Sequence, residues 1–185
     1  MGYYYSMEIK EHLLVSARQL PSPNVSERSE GEEISLLVIH NISLPPGEFG
    51  GRYIDDLFCN CLDYSAHPFF KDLKDLRVSS HLLIDRVGRT TQYVPFSLRA
   101  HHAGESSFNG RQQCNDFSIG IELEGCDDKP FTDAQYETLA KITRVLMKAY
   151  PGITANRITG HSDIAPERKT DPGPCFDWPR YRGLL

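Results

Sequence analysis

The chain has 185 residues and sets 20 Lys and Arg against 25 Asp and Glu, a net charge of −5. With no basic run, that balance argues against nucleic acid or an anionic membrane as partner. Its 39% hydrophobic and 24% charged residues exclude disorder as the main state, and the length suits one domain that buries about two thirds of its surface.

Residues 1–10 lack both a positive segment and a long apolar one, and no apolar run approaches the ~18 residues of a membrane span. The expected location is the cytoplasm. Met1-Gly2 followed by Ser6 matches an acylation pattern that is too loosely specified to carry weight. Ile9, Leu13, Leu14 and Ala17 recur at helical spacing over residues 8–19 and predict a packing helix that stops before Pro21. Residues 21–33 are polar and read as a surface connection. Ile34–Ile39 is a nearly continuous apolar run, the pattern of a strand buried on both faces, and it delivers His40 to its C-terminal end.

Pro45-Pro46-Gly47 and Gly50-Gly51 mark a long loop at that strand end. Residues 53–61 predict a short helix carrying two semi-buried thiols, Cys59 and Cys61, which lack a second pair at zinc-site spacing. All five cysteines, with Cys114, Cys126 and Cys175, read as reduced. His67-Pro68-Phe69-Phe70 suits core or a pocket wall. Residues 79–84 and 89–94 flank Asp85-Arg86-Val87-Gly88, a hairpin signal.

Residues 98–114 are irregular and hold Arg99, His101, His102 and Arg111. Adjacent histidines in extended chain point apart, so they do not share one metal. Residues 117–124 alternate, with Phe117, Ile119, Ile121 and Leu123 on one face and Gly120, Glu122 and Glu124 on the other. Taken alone, Glu122 reads as a solvent-facing residue of an edge strand. Thr132-Asp133-Ala134-Gln135 is a capping box opening a helix that runs to Pro151, with Met147 as core filler. Residues 157–159 predict a short strand, and Asp177-Trp178-Pro179 the start of a closing helix.

Between these lies Gly160–Pro174, whose three prolines and two glycines predict neither helix nor strand. It holds His161, Lys169 and Asp171 within eleven residues. A catalytic zinc takes three His or carboxylate ligands and leaves a position for water. His40, His161 and Asp171 supply such a set if their strands are neighbours, Glu122 then suits a base, and Lys169 suits an oxyanion stabiliser.

Three segments, Val38 to Gly51, Cys114 to Gly125 and Gly160 to Pro174, closely resemble the AmpD family, the 1,6-anhydro-N-acetylmuramyl-L-alanine amidases of bacterial cell-wall recycling. The likeness runs from about Ser16 to Trp178. It implies the fold shared with peptidoglycan recognition proteins and phage lysozyme-type amidases: one α/β domain over residues 1–185 with a central mixed β-sheet flanked by α-helices. Residues 1–33 would form the N-terminal helix and connection, and 34–185 the catalytic core. It further implies one Zn²⁺ on His40, His161 and Asp171, catalysis by Glu122 and Lys169, and substrate contacts from Asn41 and Arg77. The expected partner is a small muropeptide, with no nucleic acid or membrane, and the expected state is a monomer. Where the family pattern has a basic residue before Cys114 this chain has Gln113, a departure that Arg111 would offset. The competing classes are a muropeptide-binding module without catalysis, an amidase acting on the intact wall and a peptidase cutting within the stem.

Overall fold

The apolar run around Leu37 forms an interior strand, hydrogen-bonded to a neighbour on each side. The computed structural model describes residues 7–185, and the acylation pattern at Met1–Ser6 lies outside them. Six strands build the main sheet: β1 (Arg18–Gln19), β2 (Leu36–Ile42), β3 (Leu82–Ile84), β4 (Thr90–Gln92), β5 (Ser118–Glu124) and β6 (Ile158–Gly160). Their spatial order is β6-β2-β5-β3-β4-β1. The first four in that order run parallel, β4 is antiparallel to β3, and β1 is parallel to β4. This mixed sheet is flanked by α1 (Tyr53–Phe58), α2 (Asp133–Ala149), α3 (His161–Ile164) and α4 (Trp178–Gly183).

Period-two alternation divides the side chains between the two faces. Leu37, Ile39, Ile119, Ile121 and Leu123 join a core with Leu139 and Leu146 of α2 and Tyr181 of α4. Leu36 and Val38 belong instead to a cluster with Cys114, Phe117 and Ile164. His40 and Glu122 continue this second face and are register partners across β2 and β5, so they stand side by side. The capping box that opens α2 is reciprocal: Thr132 Oγ1 accepts the Gln135 N–H, and Gln135 Oε1 accepts the Thr132 N–H.

The chain departs from expectation at several places. Residues 8–19 are not helical: Ile9–Lys10 and Leu13–Leu14 pair as an antiparallel hairpin, turned by Glu11 and His12 with φ of 47° and 63°, the two positive values that a tight hairpin turn requires. Tertiary bonds outweigh the helical spacing, since Gln92 Oε1 accepts the Leu14 N–H at 2.7 Å and Gln92 Nε2 donates to the His12 carbonyl at 3.2 Å. The first 33 residues therefore also contribute β1 to the sheet. β5 is interior rather than an edge, so Glu122 and Glu124 are both buried, and Phe117 packs with the second cluster rather than beneath α2. The loop predicted at Gly160–Pro174 begins with the helical turn α3. Helix α1 ends before the thiols, with Cys59 as its cap and Cys61 exposed beyond it; all five cysteines are free.

Candidate metal centre

Open α/β sheets bind ligands beyond the carboxyl ends of their strands, and three neighbouring parallel strands converge there in this fold. Gly160 at the end of β6 is paired with Ile39, so the next residue, His161, arrives beside His40 on β2. The turn is held by Asp163 Oδ2, which accepts from Thr159 Oγ1 at 2.7 Å and from the Gly160 N–H at 2.9 Å. Asp171 folds back to the same point because its carbonyl accepts the Ser162 N–H at 2.9 Å. Asn41 Nδ2 secures that return by donating to the Pro172 carbonyl (3.0 Å) and to Asp127 (2.7 Å).

Three ligating atoms meet at closely similar distances. His40 Nδ1 lies 3.0 Å from His161 Nδ1 and 3.0 Å from Asp171 Oδ2, and His161 Nδ1 lies 3.1 Å from that same oxygen. His161 Nε2 faces the Ala103 carbonyl at 3.0 Å. A carbonyl only accepts, so neutral His161 carries its proton on Nε2 and leaves Nδ1 bare. Unprotonated imidazole nitrogens and a carboxylate oxygen facing one another are a set of acceptors without a donor, which a cation satisfies. A tetrahedral ion about 2.1 Å from each would need separations of ~3.4 Å, a few tenths of an ångström more than is present. The donor set therefore fits Zn²⁺.

Electrostatics agree with that chemistry. Burial, only partly opposed by hydrogen bonding to Asp171, pushes His40 down to about 4, which keeps it neutral. For Asp171 burial acts upward, but the His161 and His40 imidazoles beside it outweigh that and hold its carboxyl well below the usual range. Glu122 is raised well above the ordinary carboxylate value by burial and then by the Asp171 charge, with Lys169 acting in the opposite sense. Its Oε2 is buried and has no hydrogen-bond partner among the described residues. All five of these side chains, Lys169 included, line one cavity of about 560 Å³, well within the size range of small-ligand sites.

The structure thus brings together His40, His161, Asp171, Glu122 and Lys169, with Asn41 beside them. Arg77 is not among them: its guanidinium donates to the carbonyls of Lys74 and Leu76 on the exposed surface. Arg111 pairs with Glu32 at 2.5 Å and lies over Phe117, and Gln113 is exposed at the start of a 3-10 turn, so neither lines the cavity. Asp163 and Asp127 escaped sequence reasoning; Gly160-x-x-Asp163 at a strand-to-helix junction was the available signal for the first.

Residues 30–174 match the family model described as N-acetylmuramoyl-L-alanine amidase. Over 172 residues the chain is 60% identical to the 1,6-anhydro-N-acetylmuramyl-L-alanine amidase AmpD of Salmonella typhimurium (strain SL1344), covering 93% of this chain and 91% of that protein. The chain belongs to the AmpD family of N-acetylmuramoyl-L-alanine amidases. The AmpD of Escherichia coli (strain K12) is 58% identical over 179 residues, 97% of each chain. The crystal structure of a Se-Met AmpD derivative superposes with a TM-score of 0.94 at 59% identity, covering 97% of this chain and 99% of that one. More distant is AmiD from E. coli, solved with the substrate anhydro-N-acetylmuramic acid-L-Ala-D-gamma-Glu-L-Lys, at a TM-score of 0.62 and 31% identity over 86% of this chain and 60% of that one. No helix among the described residues is long and apolar enough to cross a membrane.

Proposed function

We propose that this AmpD-family amidase hydrolyses the amide joining the lactyl group of 1,6-anhydro-N-acetylmuramic acid to L-alanine in soluble muropeptides, with one Zn²⁺ held by His40, His161 and Asp171. The observation that carries the metal assignment is the convergence of three acceptor atoms at 3.0–3.1 Å beside a buried carboxylate whose Oε2 has no partner among the described residues. The substrate assignment draws support from the activity named for the relatives and from the molecule bound to AmiD. The same reading places the work in the cytoplasm, on wall fragments carried inward.

Bound zinc would supply Lewis-acid polarisation and bring water to nucleophilic strength near neutral pH. The residues of the chain do the rest. Glu122, short of a hydrogen bond and with a raised proton affinity, takes the proton of the attacking water and passes it to the departing L-alanine nitrogen. The Lys169 ammonium faces the oxyanion that forms on the lactyl carbonyl. Asn41 has both amide protons committed, so it offers the substrate its side-chain oxygen.

The test compares anhydro-muramyl tripeptide with its reducing-end counterpart, with and without a chelator. Expected are free tripeptide and free anhydro sugar, a kcat/KM preference for the anhydro form above about 10-fold, or ~1.4 kcal/mol, and loss of release on chelation with recovery on zinc addition. Cleavage within the peptide, equal rates on the two sugars, or release that survives full metal removal would overturn the reading.

A further inference from the structure

A segment that the reaction leaves unassigned holds both ligand histidines from behind. His40 Nε2 lies 2.9 Å from His102 Nδ1, and His161 Nε2 lies 3.0 Å from the carbonyl oxygen of the next residue, Ala103. Consecutive residues thus engage the far nitrogens of the two imidazoles. Their own N–H groups both donate to a single oxygen, Oδ1 of the buried Asn115, at 3.1 and 2.8 Å. On its other side the His102 ring lies against Gly120, where an added Cβ would come within 2.5 Å of it, and His102 Nε2 is 3.1 Å from Ser118 Oγ.

We propose that His102 is a positioning residue of the metal centre: it accepts the Nε2 proton of His40 while the Ala103 carbonyl accepts that of His161, and Asn115 keeps the two acceptors in place. The proposal rests on the metal reading given above. Its chemistry is tautomer selection. Neutral imidazole has one N–H, and an acceptor held at Nε2 keeps the proton there and leaves Nδ1 bare for ligation. For His161 that acceptor is a carbonyl, which can only accept and which also takes a hydrogen bond from Arg168 Nη2 at 2.7 Å. For His40 it is a second imidazole, which serves only if its own proton sits on Nε2 and points at Ser118 Oγ. The chain His40–His102–Ser118 therefore has one consistent polarity, and the close fit of the His102 ring on Gly120 fixes its aim.

Zinc affinity of the purified protein, measured by competition with a chromophoric chelator at one pH, tests this. His102→Leu keeps an apolar side chain of similar reach without an acceptor, and is expected to bind zinc roughly 10- to 100-fold more weakly. His102→Asn, whose Oδ1 falls near the lost Nδ1, should recover most of that loss and give the wild-type visible spectrum after Co²⁺ substitution, whereas the Leu variant should not. Equal loss in both variants, or loss in neither, would overturn the acceptor role. Long-range ¹H–¹⁵N NMR of the wild-type zinc protein needs no variant: His40, His161 and His102 are each expected with the proton on Nε2, and a His102 proton on Nδ1 would overturn the proposal even if neither variant folds. Asp171→Ala separates the two levels. If it binds zinc as tightly as wild type, or wild type takes up none, the metal reading falls and the proposal with it; if it loses zinc while His102→Leu keeps it, only the positioning role falls.

Discussion

Glu122 is a carboxylate for which the fold has no structural use. Buried Glu124, two residues on, is satisfied by the N–H groups of Gly50 and Arg86 at 2.5 and 3.1 Å, whereas Glu122 Oε2 is unpaired among the described residues. Leaving such a group unpaired costs on the order of 1–3 kcal/mol. Glu122→Gln is therefore expected to fold and hold zinc yet turn over about 10²-fold more slowly, the scale for a lost general base; near-normal kcat would return it to packing. Lys169→Met should lower kcat by roughly 10²- to 10³-fold with zinc affinity nearly intact, and an effect confined to KM would mark Lys169 as a ground-state contact instead. The residues that converge on the cavity, His40, His161, Asp171, Glu122 and Lys169, were legible in sequence because imidazole, ammonium and carboxylate at strand ends have few other uses. His102 and Asn115 were not, because their role exists only relative to His40 and a particular stretch of backbone.

At the level of elements, local signals read well and tertiary ones did not. The hairpin from β3 to β4 and the helix α2 announce themselves through a turn and a capping box, whereas the N-terminal hairpin depends on Gln92, some 80 residues away. A second long-range tie joins β3 to β5. His81, fully buried just before β3, accepts the Gly120 N–H on Nδ1 at 3.0 Å and donates from Nε2 to the Leu98 carbonyl at 3.1 Å. A proton added to Nδ1 would face that N–H, so protonation breaks the tie. Burial, and then the Arg28 charge, lower His81 to about 3, against roughly 6.5 in the unfolded chain. The native state then binds fewer protons across that window, so this stability is present above about pH 6.5 and drains away as pH falls towards 3. Between pH 7.5 and 5 the loss should be about 2 kcal/mol. Urea unfolding of metal-free wild type and His81→Gln at both pH values checks it: the variant should lose less on acidification by about that amount, and equal losses would clear His81.

For the molecule as a whole, the proposed metal centre would join β2 to the segment beyond β6, so zinc held there would bind the native state and not the open chain. At free zinc a thousandfold above its dissociation constant this adds about 4 kcal/mol, or roughly 8–16 °C in Tm for a chain of this size. Chelation should lower Tm by that order in wild type and leave Asp171→Ala unmoved; an equal response in both would place the bound metal elsewhere. The mixed α/β class was readable from family likeness, while patterning gave only individual strands and helices. The strand order was not, since a buried apolar run such as Leu36–Ile39 does not say which strands flank it.

The place of β6 in that order has a consequence for synthesis. It is the last strand of the sheet to leave the ribosome, yet it covers the outer edge of β2. Until residues 158–160 emerge, the apolar strand β2 offers a row of unpaired backbone groups to any other chain nearby, and two of the three proposed ligands do not yet exist. On the proposed metal reading a nascent chain therefore cannot load metal early, and the edge of β2 stays open to aggregation until β6 is made. A chain stopped before Ile158 is a client for chaperones rather than a shortened amidase.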